Sequence, residues 1–377
     1  MLKAIPCTIM RGGTSKGLFF REEDLPAAGP ERDRVLLSVM GSPDLRQIDG
    51  LGGGLSTTSK VAIIARSTRD DADVEYTFAQ VAVDSAVVDY RGNCGNISAA
   101  VGPYAIENGL ARPGDPETVV RFHNTNTDKL MLAQVCTPGG KVSYEGDFRI
   151  FGVPGTAAPV KVTLEDPAGS VTGKLLPTGA PVDVLEVPGV GRIEVSIVDV
   201  ANPLVFVRAR DVGLTAKESP EEIDSEAARL HALEAIRAAA AVKLGFVHEA
   251  STASFQSPAV PKLTIVAPAG PYRTTSGTTV DGDRVDLLGR MMSMQRAHRT
   301  YALTGALCTA AAAVIEGTLV NEIASPGFDA SRVRIGQPGG IIEAGVEVHG
   351  GASGWHVDRA FGFRTARKLM SGTAYYT

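Results

Sequence analysis

Two segments, one in each half of this chain, can form helices that have almost no polar face. They are NISAAVGPYAIENGL, beginning near Asn96, and LTGALCTAAAAVIEGTL, beginning near Leu303. A helix that lacks a polar stripe must be enclosed by other structure on most of its sides. Elsewhere, short β-branched runs such as VEYTFAQVAV, GRIEVSIVDV and PKLTIVAP alternate with turns that draw on 42 glycines and 22 prolines. This pattern predicts strands wrapped around a buried central helix, formed twice.

The length of the chain predicts more than one domain. At 377 residues it exceeds what one ordinary hydrophobic core supports, and two domains are expected. The Pro- and Gly-rich stretch PTGAPVDVLEVPGVGR, residues 177–192, is where we place the division. The predicted domains are residues 1–185, and residues 186–377 with a last strand that could pack back on the first domain.

A third helix is predicted within SPEEIDSEAARLHALEAIRAAAAVKLG. Ser219 can cap its start, Pro220 suits its first position, and Glu222 completes a capping box. Leucine and isoleucine side chains recur at helical spacing along one face, and Gly245 is expected to end the helix. We therefore expect a single amphipathic helix packed on the surface.

Composition and charge exclude several classes of function. The formal net charge of −5 lacks the basic excess of a nucleic-acid-binding protein. The aliphatic runs fall short of the roughly 20 apolar residues that span a membrane. The N-terminus has no apolar segment followed by a cleavage site, which predicts a cytoplasmic location. The expected partner is therefore a small molecule held at a local site, with neither nucleic acid nor membrane involved.

The four cysteines lie far apart in the sequence, at Cys7, Cys94, Cys136 and Cys308. They form no C-x-x-C pair, which argues against a structural zinc site and against a disulfide framework. Neither a metal nor a cofactor is expected. Each cysteine has to be judged by its own surroundings, and Cys308, inside the apolar run ALCTAAAA, is expected to be structural.

The motif MRGGTSKG near the N-terminus places Arg11, Thr14, Ser15 and Lys16 on a glycine turn. A nucleotide-binding P-loop needs a hydroxyl residue directly after its lysine, and Gly17 at that position argues against one. Backbone N–H groups beside a cation and two hydroxyls instead suit a carboxylate. The alternative is an ordinary turn with a solvated lysine.

Lys60 follows Ser59 and opens the apolar strand VAII. Burial disfavours the charged ammonium form of a lysine, which lets the amine act as a base. The alternative is a lysine that protects the edge of a strand from association. The spacing alone leaves both interpretations open.

Cys94 lies in the polar stretch RGNCGN, directly before the first apolar helix. If that helix begins at Gly95 or Asn96, the thiol sits at the positive end of the helix dipole, which favours thiolate and attracts carboxylates. The alternative is a small core residue. The polar surroundings favour a functional thiol.

The second half of the chain contains four further candidates for substrate binding. Asn202 begins an Asn-Pro turn before a strand, and His298 precedes the second apolar helix, whose first turn contains Thr304 and Gly305. Ordinary turn chemistry at Asn202 and a structural hydrogen-bonded histidine at His298 are the alternatives.

Several long motifs, spread from about residue 5 to about residue 375, resemble the PrpF family of isomerases. They are MRGGTSKG, MGSPDLRQIDGLGGG, STTSK, VDYRGNCGNISAAVGPYAIENGL, LLPTGAPVDVLEVPG, GTLVN and RTARKLM. The family includes 2-methylaconitate isomerase, 4-oxalomesaconate tautomerase and methylitaconate isomerase. The resemblance implies the diaminopimelate epimerase-like fold, an α/β (α+β) architecture of two similar domains, each a mixed β-barrel around a central helix.

The resemblance also implies roles for individual residues. The family's acid/base lysine falls on Lys60, its active-site cysteine falls on Cys94, and the Asn-Pro turn at Asn202 places an asparagine that faces the substrate. The chain departs from related epimerases in having YALTG where they carry a second cysteine. It also has QPGG, residues 337–340, where many relatives have His-Pro-Ser-Gly.

The predicted function is a cofactor-independent isomerase of an unsaturated tricarboxylate of the aconitate or 2-methylaconitate type. It would move a double bond by a 1,3-allylic proton shift or interconvert cis and trans forms. The alternatives are a 4-oxalomesaconate tautomerase, an amino-acid epimerase, and a non-catalytic carboxylate-binding accessory to an aconitase-like enzyme. The sequence leaves the oligomeric state open, with a homodimer as one option.

Overall fold

The computed structural model describes residues 2–351 and 354–377. Within those residues, no helix is both long enough and apolar enough to cross a membrane. The chain forms two compact units: unit 1 runs to Leu164 and includes Phe363–Thr377, and unit 2 is Glu165–Gly362. Residues 177–192, where the sequence suggested a division, contain a strand of unit 2 and its following turn. The domain boundary after residue 185 stays a prediction.

The secondary structure is dominated by strands. In chain order the strands are β1 Lys3–Gly12, β2 Ser15–Arg21, β3 Lys60–Arg66, β4 Val74–Val81, β5 Val88–Asp89, β6 Glu117–Asn124, β7 Lys129–Cys136, β8 Pro159–Glu165, β9 Asp183–Val187, β10 Gly191–Val200, β11 Asn202–Arg208, β12 Lys262–Pro268, β13 Tyr272–Arg273, β14 Thr279–Val280, β15 Leu287–Ser293, β16 Arg296–Ala297, β17 Val333–Gln337, β18 Gly340–Gly351 and β19 Gly354–Tyr376. The helices are α1 Pro30–Met40, α2 Gly95–Glu107, α3 Pro220–Asp224, α4 Ala227–Lys243, α5 Ala253–Gln256, α6 Leu303–Val314 and α7 Leu319–Ile323.

Unit 1 is a closed barrel of eight strands around α2. The strands β1, β2, β3, β4, β6, β7 and β8 pair in that order, and β19 pairs with both β1 and β8 to close the ring. Helix α2 packs against β1, β2, β3, β6 and β7, and its residues 95–106 are all buried. The prediction of an enclosed helix in the first half of the chain is confirmed.

Unit 2 repeats the strand pairing of unit 1. From β1 to β8 the successive pairs are antiparallel, parallel, antiparallel, parallel, antiparallel and antiparallel. From β10 through β11, β12, β15, β17 and β18 to β19 the six pairs follow the same order. Helix α6 occupies the place of α2, and its residues 303–313 are all buried. The predicted architecture of two similar strand-and-helix domains is confirmed.

The glycines of MRGGTSKG allow the β1–β2 hairpin to lie directly on α2. A Cβ added at Gly12 would come within 2.3 Å of the Asn96 carbonyl oxygen. A Cβ at Gly17 would come within 2.9 Å of the Lys60 carbonyl oxygen and 3.1 Å of Ile97 Cδ1. These glycines therefore serve close packing between the hairpin, β3 and the first turn of α2.

Replacing Gly12 with alanine is expected to lower the free energy of unfolding by about 1–3 kcal/mol, because the new methyl group must displace helix backbone rather than a flexible side chain. Urea unfolding would measure this. Gly92→Ala is the matched control, since a Cβ at Gly92 meets no atom within 4 Å. Equal stability of the two variants would contradict the close-packing argument.

The prediction of a single amphipathic surface helix is wrong in one respect, because the segment forms two helices. The capping box at Ser219 and Glu222 is present and begins α3, but α3 ends at Asp224 and α4 starts at Ala227. The Asp224 carboxylate accepts a hydrogen bond from the backbone N–H of Ala297 at 2.9 Å. Aspartate and serine favour such local or tertiary bonds over a helix interior, which explains the break.

Candidate active site

Cys94 lies immediately before α2, with its backbone in the extended region at φ −119° and ψ 93°. Its carbonyl oxygen accepts hydrogen bonds from Ser98 N at 2.9 Å and Ser98 Oγ at 3.0 Å, which fixes the first helical turn. The residue is 9% exposed. The thiol thus sits at the N-terminus of a 13-residue helix, where the dipole favours negative charge.

Asn96, in the first turn of α2, is held from two sides. Its amide nitrogen donates to Thr14 Oγ1 at 3.1 Å, and its amide oxygen accepts from Arg364 Nε at 3.1 Å. Thr14 belongs to the β1–β2 turn and Arg364 to β19. The structure therefore brings two predicted residues, Thr14 and Asn96, into one hydrogen-bonded group beside Cys94.

Arg364 is a buried cation that the sequence reasoning missed. It is 5% exposed, and Nη1 donates to the carbonyl oxygen of Phe363 at 2.8 Å. Burial lowers the pKa of Arg364 to about 10, and the electrostatic interaction of Arg364 with Cys94 acts in the opposite direction. An arginine within a strand is ordinarily exposed, so its spacing carried no signal. It lies inside RTARKLM, one of the motifs that resemble the family.

Lys60 begins β3 and is 9% exposed. Its amine donates to the amide oxygen of Gln80 at 2.6 Å and lies 5.1 Å from the centroid of the Phe78 ring. Because Gly17 pairs with Lys60 and a Cβ at Gly17 would come within 3.1 Å of Ile97 Cδ1, Lys60 and the first turn of α2 lie at the same end of the barrel. The structure thus places the two predicted catalytic residues, Lys60 and Cys94, at one end of unit 1.

The remaining predicted residues of unit 1 are mostly held by the fold itself. Arg11 Nη1 donates to the carbonyl oxygens of Gly13 and Thr365 and to Thr365 Oγ1, each at 2.9 Å. Ser59 Oγ donates to the carbonyl oxygen of Val81 at 2.9 Å. Ser15 is buried at the start of β2, Lys16 donates its backbone N–H to Thr57, and Gly95 is the buried first residue of α2. Substrate binding by these five residues stays a prediction.

Unit 2 contains the same hydrogen bond with the residue types exchanged. In unit 1 a turn threonine, Thr14, meets a helix asparagine, Asn96. In unit 2 Asn202, after the β10–β11 turn, donates to the helix residue Thr304 at 3.1 Å. Asn96 and Thr304 are each the second residue of their helix. The predicted residues Asn202 and Thr304 are therefore brought together.

The start of α6 differs from the start of α2 in its chemistry. Ala302 precedes α6 at the place that Cys94 occupies in unit 1. Cys308 is fully buried, its thiol donates to the carbonyl oxygen of Val198 at 3.2 Å, and burial raises its pKa. This geometry agrees with a structural role for Cys308 and leaves unit 2 with no thiol at its helix start.

His298 and Gly305 are placed by contacts within unit 2. His298 donates its backbone N–H to Met291 O at 2.8 Å, and its Nδ1 accepts from Thr300 N at 3.1 Å. A Cβ at Gly305 would lie 1.9 Å from Met291 Cε, so the glycine permits close packing there. Gln337, in the loop that departs from its relatives, is buried and accepts from Gly339 N at 2.8 Å. Substrate binding by His298 and Gly305 stays a prediction.

The whole chain matches one protein family. A family model described as PrpF protein matches residues 2–377. The chain belongs to the PrpF family. Among its relatives, the 3-methylitaconate isomerase of Eubacterium barkeri is 50% identical over 98% of this chain and 97% of the relative. The 2-methyl-aconitate isomerase of Shewanella oneidensis is 43% identical over 98% of this chain and 96% of the relative.

A solved structure agrees with the same assignment. The crystal structure of a methylitaconate-delta-isomerase is 49% identical, with a TM-score of 0.82, and the match covers 100% of this chain and 96% of that one. The predicted family, fold class and enzyme class are confirmed: this PrpF-family chain is an isomerase. The roles of its individual side chains are taken up below as proposals.

Replacing Arg364 with glutamine in this PrpF-family isomerase is expected to slow alkylation of Cys94 by iodoacetamide about tenfold at neutral pH, because a neighbouring cation favours the reactive thiolate. Peptide mass spectrometry would follow Cys94 separately from the other three cysteines. Arg364→Lys, which keeps the charge, should react nearly as fast as the wild type. Arg367→Gln, on the same strand, is the control, and an unchanged rate in folded Arg364→Gln would contradict the prediction.

Proposed function

We propose that this chain moves a carbon–carbon double bond by a 1,3-allylic proton shift in an unsaturated carboxylate with at least two carboxylate groups. The observation that carries the proposal is the placement of a buried lysine amine and a helix-terminal thiol at the same end of one barrel. Such an arrangement supplies two groups able to exchange protons with a substrate carbon. The first turn of α2 adds donors for an anion.

In the proposed reaction, a base removes the proton γ to one carboxylate, across the double bond. The electron pair spreads over the three carbons and that carboxylate as an extended dienolate, and an acid returns a proton at the α carbon. Lys60 is assigned as the main base and proton shuttle, with Cys94 as its partner on the other side of the substrate plane. No atoms are gained or lost in the net reaction, and every proton transfer uses a side chain of this protein.

The dienolate requires fixed donors where its charge accumulates, since preorganised donors stabilise a developing anion without reorganisation. The backbone N–H groups of Gly95 and Asn96, the Thr14 hydroxyl and the Arg364 guanidinium are the proposed donors in unit 1. The hydrogen bonds of Asn96 to both Thr14 and Arg364 hold this group together.

The substrate class follows from the chemistry that the relatives share. Methylitaconate is a dicarboxylate and 2-methylaconitate a tricarboxylate, and both carry carboxylates on neighbouring carbons beside a double bond. The sequence motifs favoured the aconitate type, whereas the relative that is 50% identical bears the name 3-methylitaconate isomerase. We propose a substrate with neighbouring carboxylates, and a panel of both types decides between them.

Proton NMR of the purified protein in deuterium oxide would test this function. 3-Methylitaconate, 2-methylaconitate, 4-oxalomesaconate and trans-aconitate would be supplied separately, with proline as an amino-acid control. Double-bond migration with deuterium entering one allylic position is expected for at least one unsaturated acid. Exchange confined to the Cα proton of proline would support an epimerase instead. Binding of the acids without exchange would overturn the isomerase proposal for this panel and favour the accessory role.

A cytoplasmic location is proposed as well. All four cysteines are free thiols, which suits a reducing compartment. A homodimer stays a prediction from the sequence.

A further inference from the structure

Three side chains form a row across neighbouring strands at the end of the barrel that contains Lys60. Lys60 on β3 pairs with Gln80 on β4, and Gln80 pairs with Asp89 on β5. Side chains at directly paired positions project from the same face of a sheet and lie close enough to interact. Gln80 therefore stands between the candidate base and a carboxylate.

The amide of Gln80 is oriented by its other partners. Its nitrogen donates to the carbonyl oxygen of Ser59 at 2.8 Å and to that of Ser56 at 3.1 Å. Carbonyl oxygens only accept hydrogen bonds, so they require the amide nitrogen, and the amide oxygen must point the other way. That oxygen accepts from the Lys60 amine at 2.6 Å. Gln80 thus presents a fixed, uncharged acceptor to Lys60.

The carboxylate at the end of the row, Asp89, is already paired with the guanidinium of Arg91. Asp89 accepts from the backbone N–H of Arg91 at 2.8 Å and from its Nε and Nη2 at 3.1 Å each. Within residues 2–351 and 354–377, Lys60 forms no ion pair with a carboxylate. Lys16 and Arg21 on β2, Glu75 and Tyr76 on β4, and Cys94 at the start of α2 are further ionisable groups on the elements around Lys60. Arg21 and Tyr76 pair with Ile64 and Glu75 pairs with Ala65, four and five residues along β3 from Lys60. The described part of the chain therefore places an uncharged amide oxygen, and no carboxylate, in contact with the Lys60 amine.

We propose that Gln80 is a positioning residue that orients the Lys60 amine through an uncharged oxygen and so leaves the amine able to release its proton. The inference rests on the proposed function, in which Lys60 must alternate between its protonated and neutral forms. A carboxylate in the same place would orient the amine equally well but would favour the ammonium form. The neutrality of Gln80, rather than its shape alone, is the feature assigned a role.

The test is the pH dependence of kcat/KM in Gln80→Glu, measured on whichever acid the wild type isomerises. The acid limb of the profile is expected to move about one unit or more to higher pH, because an opposite charge in contact favours the protonated base. Activity should approach that of the wild type at the alkaline end. Gln134→Glu, which adds the same charge on β7 of the same barrel, should leave the limb in place.

A second variant separates charge from shape. Gln80→Met has a similar length but no acceptor, and it should lower kcat about tenfold with the acid limb unmoved, because orientation is lost without added charge. If Gln80→Glu loses activity equally at every pH while it remains folded by circular dichroism, the proposal is overturned. An unshifted limb with full activity overturns it too.

A measurement that needs no substrate keeps this inference separate from the proposed function. Acetylation of Lys60 by acetic anhydride, followed by peptide mass spectrometry across a pH series, reports its neutral amine directly. The half-maximal rate should move to higher pH in Gln80→Glu and stay in place in Gln134→Glu. A wild type without isomerase activity would refute the proposed function, whereas an unmoved labelling profile in Gln80→Glu would refute the role of Gln80.

Discussion

Replacing Lys60 with methionine is expected to lower kcat/KM for the allylic isomerisation by about 10²–10⁴-fold, the usual contribution of a positioned acid or base. Methionine matches the length and apolar stem of lysine, so the contact with Phe78 can persist while the amine is lost. Deuterium entry into the substrate should fall in parallel, because Lys60 is assigned the removal of the γ proton. Proton NMR in deuterium oxide would follow exchange and product together.

Lys262 is the matched control for Lys60, because it occupies the equivalent position in unit 2. It opens β12 and pairs in parallel with Leu204 of β11, as Lys60 opens β3 and pairs in parallel with Gly17 of β2. Its amine donates to the carbonyl oxygen of Ala259 at 2.9 Å. Lys262→Met should keep near-wild-type activity. An equal loss in both variants, or activity retained in Lys60→Met, would contradict the assignment of Lys60 as the base.

Replacing Cys94 with alanine is expected to lower product formation about 10²-fold or more, because the proton can no longer be returned at the α carbon. The starting acid should nevertheless continue to exchange its γ proton with deuterium oxide, since Lys60 remains in place. The two halves of the reaction would then separate: Lys60→Met loses exchange and product, whereas Cys94→Ala loses product and keeps exchange. Proton NMR measures both quantities in one sample.

Cys136→Ala is the matched control for Cys94→Ala. Cys136 is also a free cysteine of unit 1, but it is half-buried at the end of β7. Its replacement should change neither exchange nor product formation. Full isomerase activity in Cys94→Ala would contradict a two-group mechanism and leave Lys60 as a single shuttle for both proton transfers.

The sequence was most informative where one local rule acted alone. The two apolar helices were predicted within a residue or two of their observed starts at Gly95 and Leu303, because a helix without a polar face has only one stable environment. The capping box at Ser219 was also predicted correctly from the sequence. The break between Asp224 and Ala227 could not be predicted, since it depends on a hydrogen bond from Ala297, which is far along the chain.

The residues of the candidate site show the same difference between local and long-range information. Lys60 and Cys94 became candidates because each lies at the junction of a polar turn and an apolar element, which is visible in the sequence. For Lys60 this position left a strand-edge role open, and the resemblance to the family implied the acid/base role. Arg364 and Gln80 were not identified as candidates, because nothing next to them in the chain indicates their hydrogen-bond partners. Arg364 reaches Asn96 and Gln80 reaches Lys60 only through strand pairing and barrel closure.

The sequence by itself determined the repeated strand-and-helix organisation and the residue types able to exchange protons, since periodicity, capping and turn chemistry act over a few neighbouring residues. Only the tertiary structure decided which charges and amides surround those residues. Register places Gln80 beside Lys60, and closure by β19 places Arg364 beside Asn96 and Cys94. Electrostatic and hydrogen-bonding effects depend on distance in space, and that distance is set by pairings between strands that are remote in the chain.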